Sequence, residues 1–165
     1  MHKKRTYPMN IDEPLVLRAA HTSDAGLIAS MSRLLIEHGL KWRWTTARVK
    51  RSIRDPETMV LVASIDGTLS GFAIMKFRDE ESHLFLLAIA PRFQRTGIGS
   101  ALLDWLEKSC RTAGIRNIRV EMRASNQPAA VFYERSGYRF AREIPRYYDN
   151  REAAVVMVRS LIDAL

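Results

Sequence analysis

A loop with two glycines joins a predicted strand to a predicted helix, and this arrangement can bind phosphate. Residues 84–90 are an almost uninterrupted apolar run, which is typical of a buried strand, and Pro91 ends it. The segment QRTGIG, residues 94–99, follows, and residues 98–113 have apolar side chains at helical spacing. Free amides at a helix N-terminus, beside glycines that let the backbone approach a ligand, bind anions such as pyrophosphate. The spacing is equally compatible with a tight turn.

One carboxylate of the next predicted strand could take part in proton transfer. Residues 116–123 alternate between apolar and polar side chains, so Glu121 lies on the polar face of a half-buried strand. A carboxylate beside a ligand cleft can accept a proton directly or through water. The alternative is a surface carboxylate that is paired with Arg119 or Arg123 and has no catalytic role.

The helix predicted after this strand carries an amide and a tyrosine on one face. Asn126, Ala130, Tyr133 and Gly137 recur at i, i+4, i+7 and i+11. Asn126 is a suitable N-cap, and Gly137 is suitable to end the helix. Asn126 and Tyr133 therefore point into the same groove, although a packed tyrosine whose hydroxyl has a structural partner would fit the same pattern.

These segments together resemble a known family. The pattern Q-x-x-G-x-G after an apolar strand that ends in proline resembles the acetyl-CoA signature of the GNAT superfamily of N-acyltransferases. The segments EMRASN (121–126) and VFYERSGY (131–138) resemble that superfamily's second CoA-contacting region. With RYYDNREAAVVM (146–157), they are most similar to the branch of ribosomal-protein alanine N-acetyltransferases, which modify protein N-termini.

The resemblance implies direct transfer of an acetyl group from acetyl-CoA to a primary amine, without a metal. Such a reaction requires an oriented thioester, a route for the ammonium proton and a proton for the departing thiolate. In that branch the glutamate at the place of Glu121 serves as base, and the resemblance assigns Tyr133 the role of acid. Glu80, Glu81 and His83 are weaker candidates for the base, near the cleft by topology alone.

The same resemblance implies two binding surfaces. The acetyl-CoA site would comprise Leu87, Ala88, Ile89, Gln94, Arg95, Thr96, Gly97, Ile98, Gly99, Ser100, Asn126 and Tyr133. The acceptor site would be lined by Tyr147 and Tyr148, which are similar to a tyrosine pair of that branch, and by Trp42 and Trp44 on the opposite loop. Aromatic clusters in loops are also common packing features, so these aromatic residues alone do not establish an acceptor site.

The order of predicted elements indicates a mixed α/β fold. The order is β-α-α-β-β-β-α-β-α-β-β, which predicts a mixed, mostly antiparallel sheet with helices on both faces. The family resemblance implies a splay between strands 4 and 5. Gly39 is placed to end the first helix, Thr45 or Thr46 to cap the second, and Asp66-Gly67 to form a hairpin turn. We expect one domain over residues 1–165, with residues 1–12 flexible.

The composition limits the classes of protein to which this chain can belong. The chain has 165 residues and a net charge of +8, and no apolar run approaches the roughly 20 residues of a membrane span. The single cysteine, Cys110, excludes an internal disulfide and fits a buried position in a cytoplasmic protein. Apart from residues 3–5 the basic residues are dispersed and no RNA-binding motif is present, so direct nucleic-acid binding is not expected.

We therefore expect a cytoplasmic N-acetyltransferase, a monomer or homodimer, that acts on protein N-terminal α-amines. One alternative is the same chemistry on a small amine or a lysine side chain, because acceptor loops vary on a shared fold. Another is a CoA-binding or ribosome-associated module without turnover. The presence of both Glu121 and Tyr133 argues against that module.

Overall fold

The computed structural model describes residues 14–162, so the predicted flexibility of residues 1–12 concerns residues outside the described part of the chain. Within it, seven strands form one sheet with the order β1-β2-β3-β4-β5-β7-β6. Neighbouring strands are antiparallel except β4 and β5, which are parallel, and this confirms the predicted mixed sheet. The strands are β1 (Val16–Ala19), β2 (Thr58–Ile65), β3 (Thr68–Lys76), β4 (Glu81–Ile89), β5 (Asn117–Arg123), β6 (Arg139–Tyr148) and β7 (Glu152–Ser160).

Four α-helices connect these strands within residues 14–162, in the predicted order. Thr45 caps the second helix by accepting a hydrogen bond from the amide of Arg48 at 3.4 Å. Asn126 caps the fourth in the same way, from the amide of Ala129 at 3.2 Å. Both caps were predicted from the sequence. The helices are α1 (Ala25–Leu35), α2 (Thr46–Arg54), α3 (Ile98–Thr112) and α4 (Gln127–Arg135).

The end of α1 differs from the prediction. The sequence places the end of this helix next to Gly39, but α1 ends at Leu35. The next two amides both donate to the carbonyl of Ser32, which closes the last turn. Glu37 then turns inward and is only 7% exposed. Its buried carboxylate needs hydrogen-bond donors from the following loop, and this requirement takes the chain out of the helix early.

Helices cover both faces of the sheet and bury two hydrophobic cores. On one face α3 and α4 pack over the sheet, with Leu102, Leu106, Val120 and Met157 among the buried residues. On the other face α1 and α2 pack against β2, β3 and β4, with Ile28, Val49, Phe72 and Leu86 buried. The second core draws its residues from β2 to β4, so the polar side chains of β5 and β6 on this face remain accessible to a ligand.

The parallel pair is short and ends in a splay, as predicted. β4 and β5 pair from Glu81 opposite Asn117 to Leu84 opposite Val120, and no further pair follows. A bulge lies at the same point on the other side of β4, where Leu84 pairs with Met75 but Leu86 pairs with Ile74. A bulge bends its strand, so β4 turns away from β5 beyond Leu84. The rest of β4 pairs with β3 only.

None of the helices within residues 14–162 is long and apolar enough to cross a lipid bilayer.

Candidate active site

The separation of β4 and β5 opens a cleft with a volume of about 1630 Å³. Its walls come from the α1–α2 loop, β4, the segment 94–100, β5, α4 and the turn between β6 and β7. Elements that are far apart in the sequence therefore meet around one space. The described side chains that line it include both predicted catalytic residues, Glu121 and Tyr133.

The glycine loop and α3 form one end of the cleft. Gly97 has φ +86°, a conformation that favours glycine, and it precedes the first turn of α3. The amide of Ala101 donates to the carbonyl of Gly97 at 3.0 Å, and the amides of residues 98–100 precede this first helical bond. Gly99 also allows close packing, because a Cβ atom there would lie 3.2 Å from the ring of Phe132. These features suit a site for an anionic group.

Nearly all the residues predicted to bind acetyl-CoA lie around the cleft. Gln94 holds the loop to the strand end, since its amide donates to the carbonyl of Ile89 at 3.1 Å. Thr96 is not among the described lining residues, because its hydroxyl donates instead to the carbonyl of Phe93. The predicted residues that line the cleft are Leu87, Ala88, Ile89, Gln94, Arg95, Gly97, Ile98, Gly99, Ser100, Asn126 and Tyr133.

Glu121 is hydrogen-bonded to His83 across the β4–β5 pair. Both side chains are largely buried, with 10% of Glu121 and 14% of His83 exposed. Arg119 lies beside them: its Nη2 atom is 3.2 Å from Nδ1 of His83, and its Nε atom is 3.5 Å from a carboxylate oxygen of Glu121. Glu80 and Glu81, the other carboxylates near this strand, are not among the described residues that line the cleft.

The contact with Arg119 indicates the tautomer of His83. A guanidinium group can only donate hydrogen bonds, so Nδ1 of His83 must be the acceptor. The proton of the neutral imidazole is then on Nε2, where it is donated to Glu121. In this arrangement both ring nitrogens are engaged, and His83 orients the carboxylate rather than accepting a proton itself.

Glu121 is ionised at neutral pH. Burial by itself raises the pKa of this carboxyl, but the hydrogen bond from His83 and the positive charges of Arg119 and Arg142 outweigh it. The resulting pKa lies below the usual value for glutamate. Glu121 is therefore available as a proton acceptor. Its partners His83 and Arg119 lie with it at the cleft, so it is not a carboxylate paired on the open surface.

Tyr133 lies on α4, within the wall of the cleft. It is 5% exposed, and its ring packs edge-on against Phe132 and Tyr138 at centroid distances of 5.1 and 5.2 Å. Burial raises the pKa of this phenol above its usual value, because the anion would lose its hydration. Tyr133 therefore stays protonated at neutral pH and can donate a hydrogen bond or a proton.

The end of the cleft that is predicted to bind the acceptor is lined by three of the four predicted aromatic residues. Tyr147 and Tyr148 line it from the end of β6, and Trp44 lines it from the α1–α2 loop. Trp44 packs between the guanidinium of Arg48, 3.8 Å from its ring centroid, and Phe85, whose ring centroid lies 5.7 Å away. Trp42 is not among the described lining residues.

Trp42 instead packs against the second core and Arg33 of α1. It belongs to the partly buried residues around the second core, and the guanidinium of Arg33 lies 4.9 Å from its ring. The predicted contact of Trp42 with the acceptor therefore has no support in this geometry.

Two acidic residues that the sequence did not single out shape the acceptor end. Asp149 accepts hydrogen bonds from the amide of Lys41 at 2.6 Å and from the guanidinium of Arg43 at 2.8 Å. It thus ties the β6–β7 turn to the α1–α2 loop. Glu37 organises that loop from inside, because its carboxylate accepts from the amides of Arg43 and Trp44. The only indication of this contact in the sequence is that an Asp follows two tyrosines in a predicted tight turn.

Comparison with known proteins agrees with this geometry. The profile of the Acetyltransferase (GNAT) family matches residues 29–138. The [Ribosomal protein bS18]-alanine N-acetyltransferase of Escherichia coli strain K12 is 37% identical over 95 residues, or 56% of this chain. That match spans 64% of the relative, so less than two thirds of its length is covered.

Two solved structures resemble the whole described fold. The Ard1 protein of Thermoplasma volcanium has a TM-score of 0.80 and 25% identity, over 90% of this chain and 99% of that one. A ribosomal-protein alanine N-acetyltransferase of Escherichia coli has a TM-score of 0.76 and 27% identity, over 92% of this chain and 97% of that one. Since the family profile also matches more than half of the sequence, the chain belongs to the GNAT acetyltransferase family, whose members are acyltransferases.

Proposed function

We propose that this protein transfers the acetyl group of acetyl-CoA directly to the N-terminal α-amine of a protein. The observation that carries the proposal is the placement of an ionised Glu121 and a protonated Tyr133 on the walls of one cleft, at the unpaired end of β4. A reaction that removes a proton from a nucleophile and places negative charge on a leaving group is assisted by a base and a hydrogen-bond donor in these positions.

The other end of the cleft suits the donor. The amides at the start of α3 would bind the phosphates, with the helix dipole favouring their negative charge. Residues 86–89 of β4 have no strand neighbour on the cleft side, so their free backbone groups can bond the amides of the pantetheine arm. One of these backbone amides would also stabilise the thioester oxygen as negative charge develops on it.

Glu121 would act on the attacking amine. An α-amine titrates near ~8, so about a tenth of it is neutral at pH 7 and can attack without help. As the nitrogen lone pair forms the new C–N bond, the nitrogen becomes strongly acidic and loses a proton. Glu121 would accept that proton directly or through a water molecule, while His83 and Arg119 keep the carboxylate in place.

Tyr133 would act on the leaving group. The C–S bond breaks as the tetrahedral species collapses, and its electron pair leaves with the sulfur. A thiol titrates near ~8.5, well below a phenol whose pKa is raised by burial. We therefore expect Tyr133 to stabilise the departing thiolate as a hydrogen-bond donor, and the thiolate to take its final proton from solvent.

The proposed acceptor rests on two lines of support. The E. coli relative at 37% identity is named as an N-acetyltransferase of an alanine of a ribosomal protein. In this chain Tyr147, Tyr148 and Trp44 form an aromatic wall on the side of the cleft where Glu121 lies, which suits the first residues of a peptide.

The test is free-thiol release from acetyl-CoA against a panel of acceptors. The panel contains peptides with free N-termini, the same peptides with blocked N-termini and an internal lysine, and small polyamines. We expect turnover only with free N-termini. Turnover with blocked peptides or polyamines alone would reject the α-amine as the acceptor. Silence across the panel, with acetyl-CoA still bound, would indicate a binding module without turnover.

A further inference from the structure

We propose that the acceptor's N-terminal residue is followed by acidic residues, which bind a basic rim beside the acceptor end of the cleft. This inference rests on the proposed function and specifies its substrate class. The basic rim is defined as Lys41 of the α1–α2 loop and Arg142, Arg146 and Arg151 of β6 and the β6–β7 turn. All four side chains are exposed.

The register of the sheet connects the rim to the proposed base. On β7, Val156 pairs with Glu121 of β5 on one side and with Arg142 of β6 on the other. The three residues therefore form a row across the strands, and paired residues present their side chains to the same face. Arg142 also contributes to the lowered pKa of Glu121, as its position in this row requires.

The length of this row matches a short stretch of peptide. Two strand spacings place the backbone of Arg142 about 10 Å from that of Glu121. An extended peptide advances about 3.4 Å per residue, so an acceptor with its amine at Glu121 would bring roughly its third or fourth residue to Arg142. Arg146 and Arg151 flank Tyr147 and Tyr148, which line the cleft on the same side.

The rim is not neutralised by the protein itself. Within residues 14–162, none of its four side-chain cations forms an ion pair or a side-chain hydrogen bond. The nearby carboxylates have other partners: Glu121 bonds His83, Asp149 bonds Arg43, and Glu152 bonds Arg123 at 2.6 Å. Glu143 pairs with Val155 and thus belongs to the opposite face of the sheet.

The acceptor end of the cleft therefore carries charges of both signs. A carboxylate lies where the reacting amine would bind, and unpaired cations lie where the following residues would pass. A peptide with a positive N-terminus and acidic side chains at positions 2 to 4 complements both charges, and arginine can bond a carboxylate through two parallel N–H groups. A polyamine complements only the carboxylate and is repelled by the rim.

The experiment compares peptides that share one N-terminal residue and differ at positions 2 to 4, which are all Asp, all Asn or all Lys. We expect kcat/KM from thiol release to fall in that order, by roughly two- to fivefold per charge at low ionic strength. The preference should shrink as salt is added. Arg146→Glu combined with Arg151→Glu leaves the four rim positions with no net charge and should abolish the preference for the Asp peptide over the Lys peptide. Lys108→Glu combined with Arg54→Glu is an equal change of charge at two exposed residues that do not line the cleft, and it should leave the order unchanged.

Equal kcat/KM for the three peptides, or a preference for Asp that survives the double substitution, would overturn the inference while leaving the acetyltransferase intact. Absence of thiol release with every peptide would instead reject the proposed function and the inference with it. If the double substitution abolished binding of a single-stranded RNA and left the peptide order unchanged, the rim would be a nucleic-acid contact, and the acidic acceptor would be rejected.

Discussion

His83 on β4 and Glu121 on β5 are hydrogen-bonded to each other on either side of the last paired rung of these strands, Leu84 opposite Val120. Beyond that rung the strands part and the cleft begins. The strand pair thus holds the carboxylate rigidly at the point where the cleft opens, and sheet geometry rather than a flexible loop positions the proposed base.

Glu121→Gln should lower kcat roughly 10- to 100-fold at pH 7, because the amide cannot accept the amine proton. This loss is smaller than the roughly 10⁴-fold that removal of a general base can cause, because part of the α-amine is already neutral at this pH. The measurements are thiol release and the Kd of acetyl-CoA, which should change little. An unchanged kcat would remove Glu121 from the role of base.

His83→Ala should move to higher pH the bend that Glu121 contributes to the acid side of the kcat/KM profile, which lies below the separate bend of the amine near ~8. The hydrogen bond from His83 lowers the pKa of Glu121, so its loss leaves the effect of burial less opposed and the pKa rises. A carboxylate with a higher pKa loses its negative charge earlier as the pH falls. His83→Gln, whose amide can donate to Glu121, should restore part of the original profile. An acid limb at the same pH in wild type and His83→Ala would contradict this role.

Tyr133→Phe should lower kcat about 10-fold or more while the shape of the pH profile stays the same up to pH 10. A phenol with the ordinary pKa of ~10 would give the wild type a limb at high pH that this variant loses. In the structure burial raises the pKa of the phenol, so its ionisation lies beyond that range in the wild type. A wild-type alkaline limb that disappears in Tyr133→Phe would show that the phenol ionises more easily than its burial indicates.

Gly99→Ala should weaken acetyl-CoA binding and stabilise the fold less than Gly26→Ala does, because the added Cβ lies 3.2 Å from the ring of Phe132 and this crowding offsets the gain in helix propensity. Thermal unfolding and the Kd of acetyl-CoA are the measurements. Gly26→Ala is the matched control: no atom lies within 4 Å of the added Cβ, and alanine is the better helix residue within α1. Gly26→Ala should therefore not destabilise the protein. Equal effects of the two substitutions would show that the contact with Phe132 is unimportant.

Asp149→Ala should raise the KM of a peptide acceptor roughly tenfold and leave the Kd of acetyl-CoA unchanged. The substitution removes two charge-assisted hydrogen bonds that join the β6–β7 turn to the α1–α2 loop. Arg43→Ala removes only one of the two contacts and should have a smaller effect. A larger effect of Arg43→Ala would mean that Arg43 contacts the acceptor itself.

Local signals in the sequence were sufficient for most of the fold. The caps Thr45 and Asn126, the strand from Thr58 to Ile65 and the start of α3 at Ile98 follow from residue chemistry that acts within a few positions. The end of α1 could not be predicted in this way. It depends on the buried carboxylate of Glu37, whose hydrogen-bond donors lie several residues further along the chain.

The site depends even more on distant parts of the chain. The family motifs indicated Glu121 and Tyr133, but the partner of Glu121 depends on the register of two parallel strands, and no local pattern specifies that register. His83 was therefore only a weak candidate for the base. The contact between Asp149 and the amide of Lys41 spans more than one hundred positions of the sequence, so it was not foreseen.

Because β4 lacks a neighbouring strand on its cleft side, a ligand bound in the cleft should stabilise the folded state. A molecule that bonds the free backbone groups of residues 86–89 completes a sheet that the protein leaves unfinished, and it can do so only in the folded chain. By mass action such a ligand at 100 times its Kd adds about 2.7 kcal/mol to the free energy of unfolding. The concentration of the acetyl donor would then affect the stability of the folded protein as well as its turnover rate.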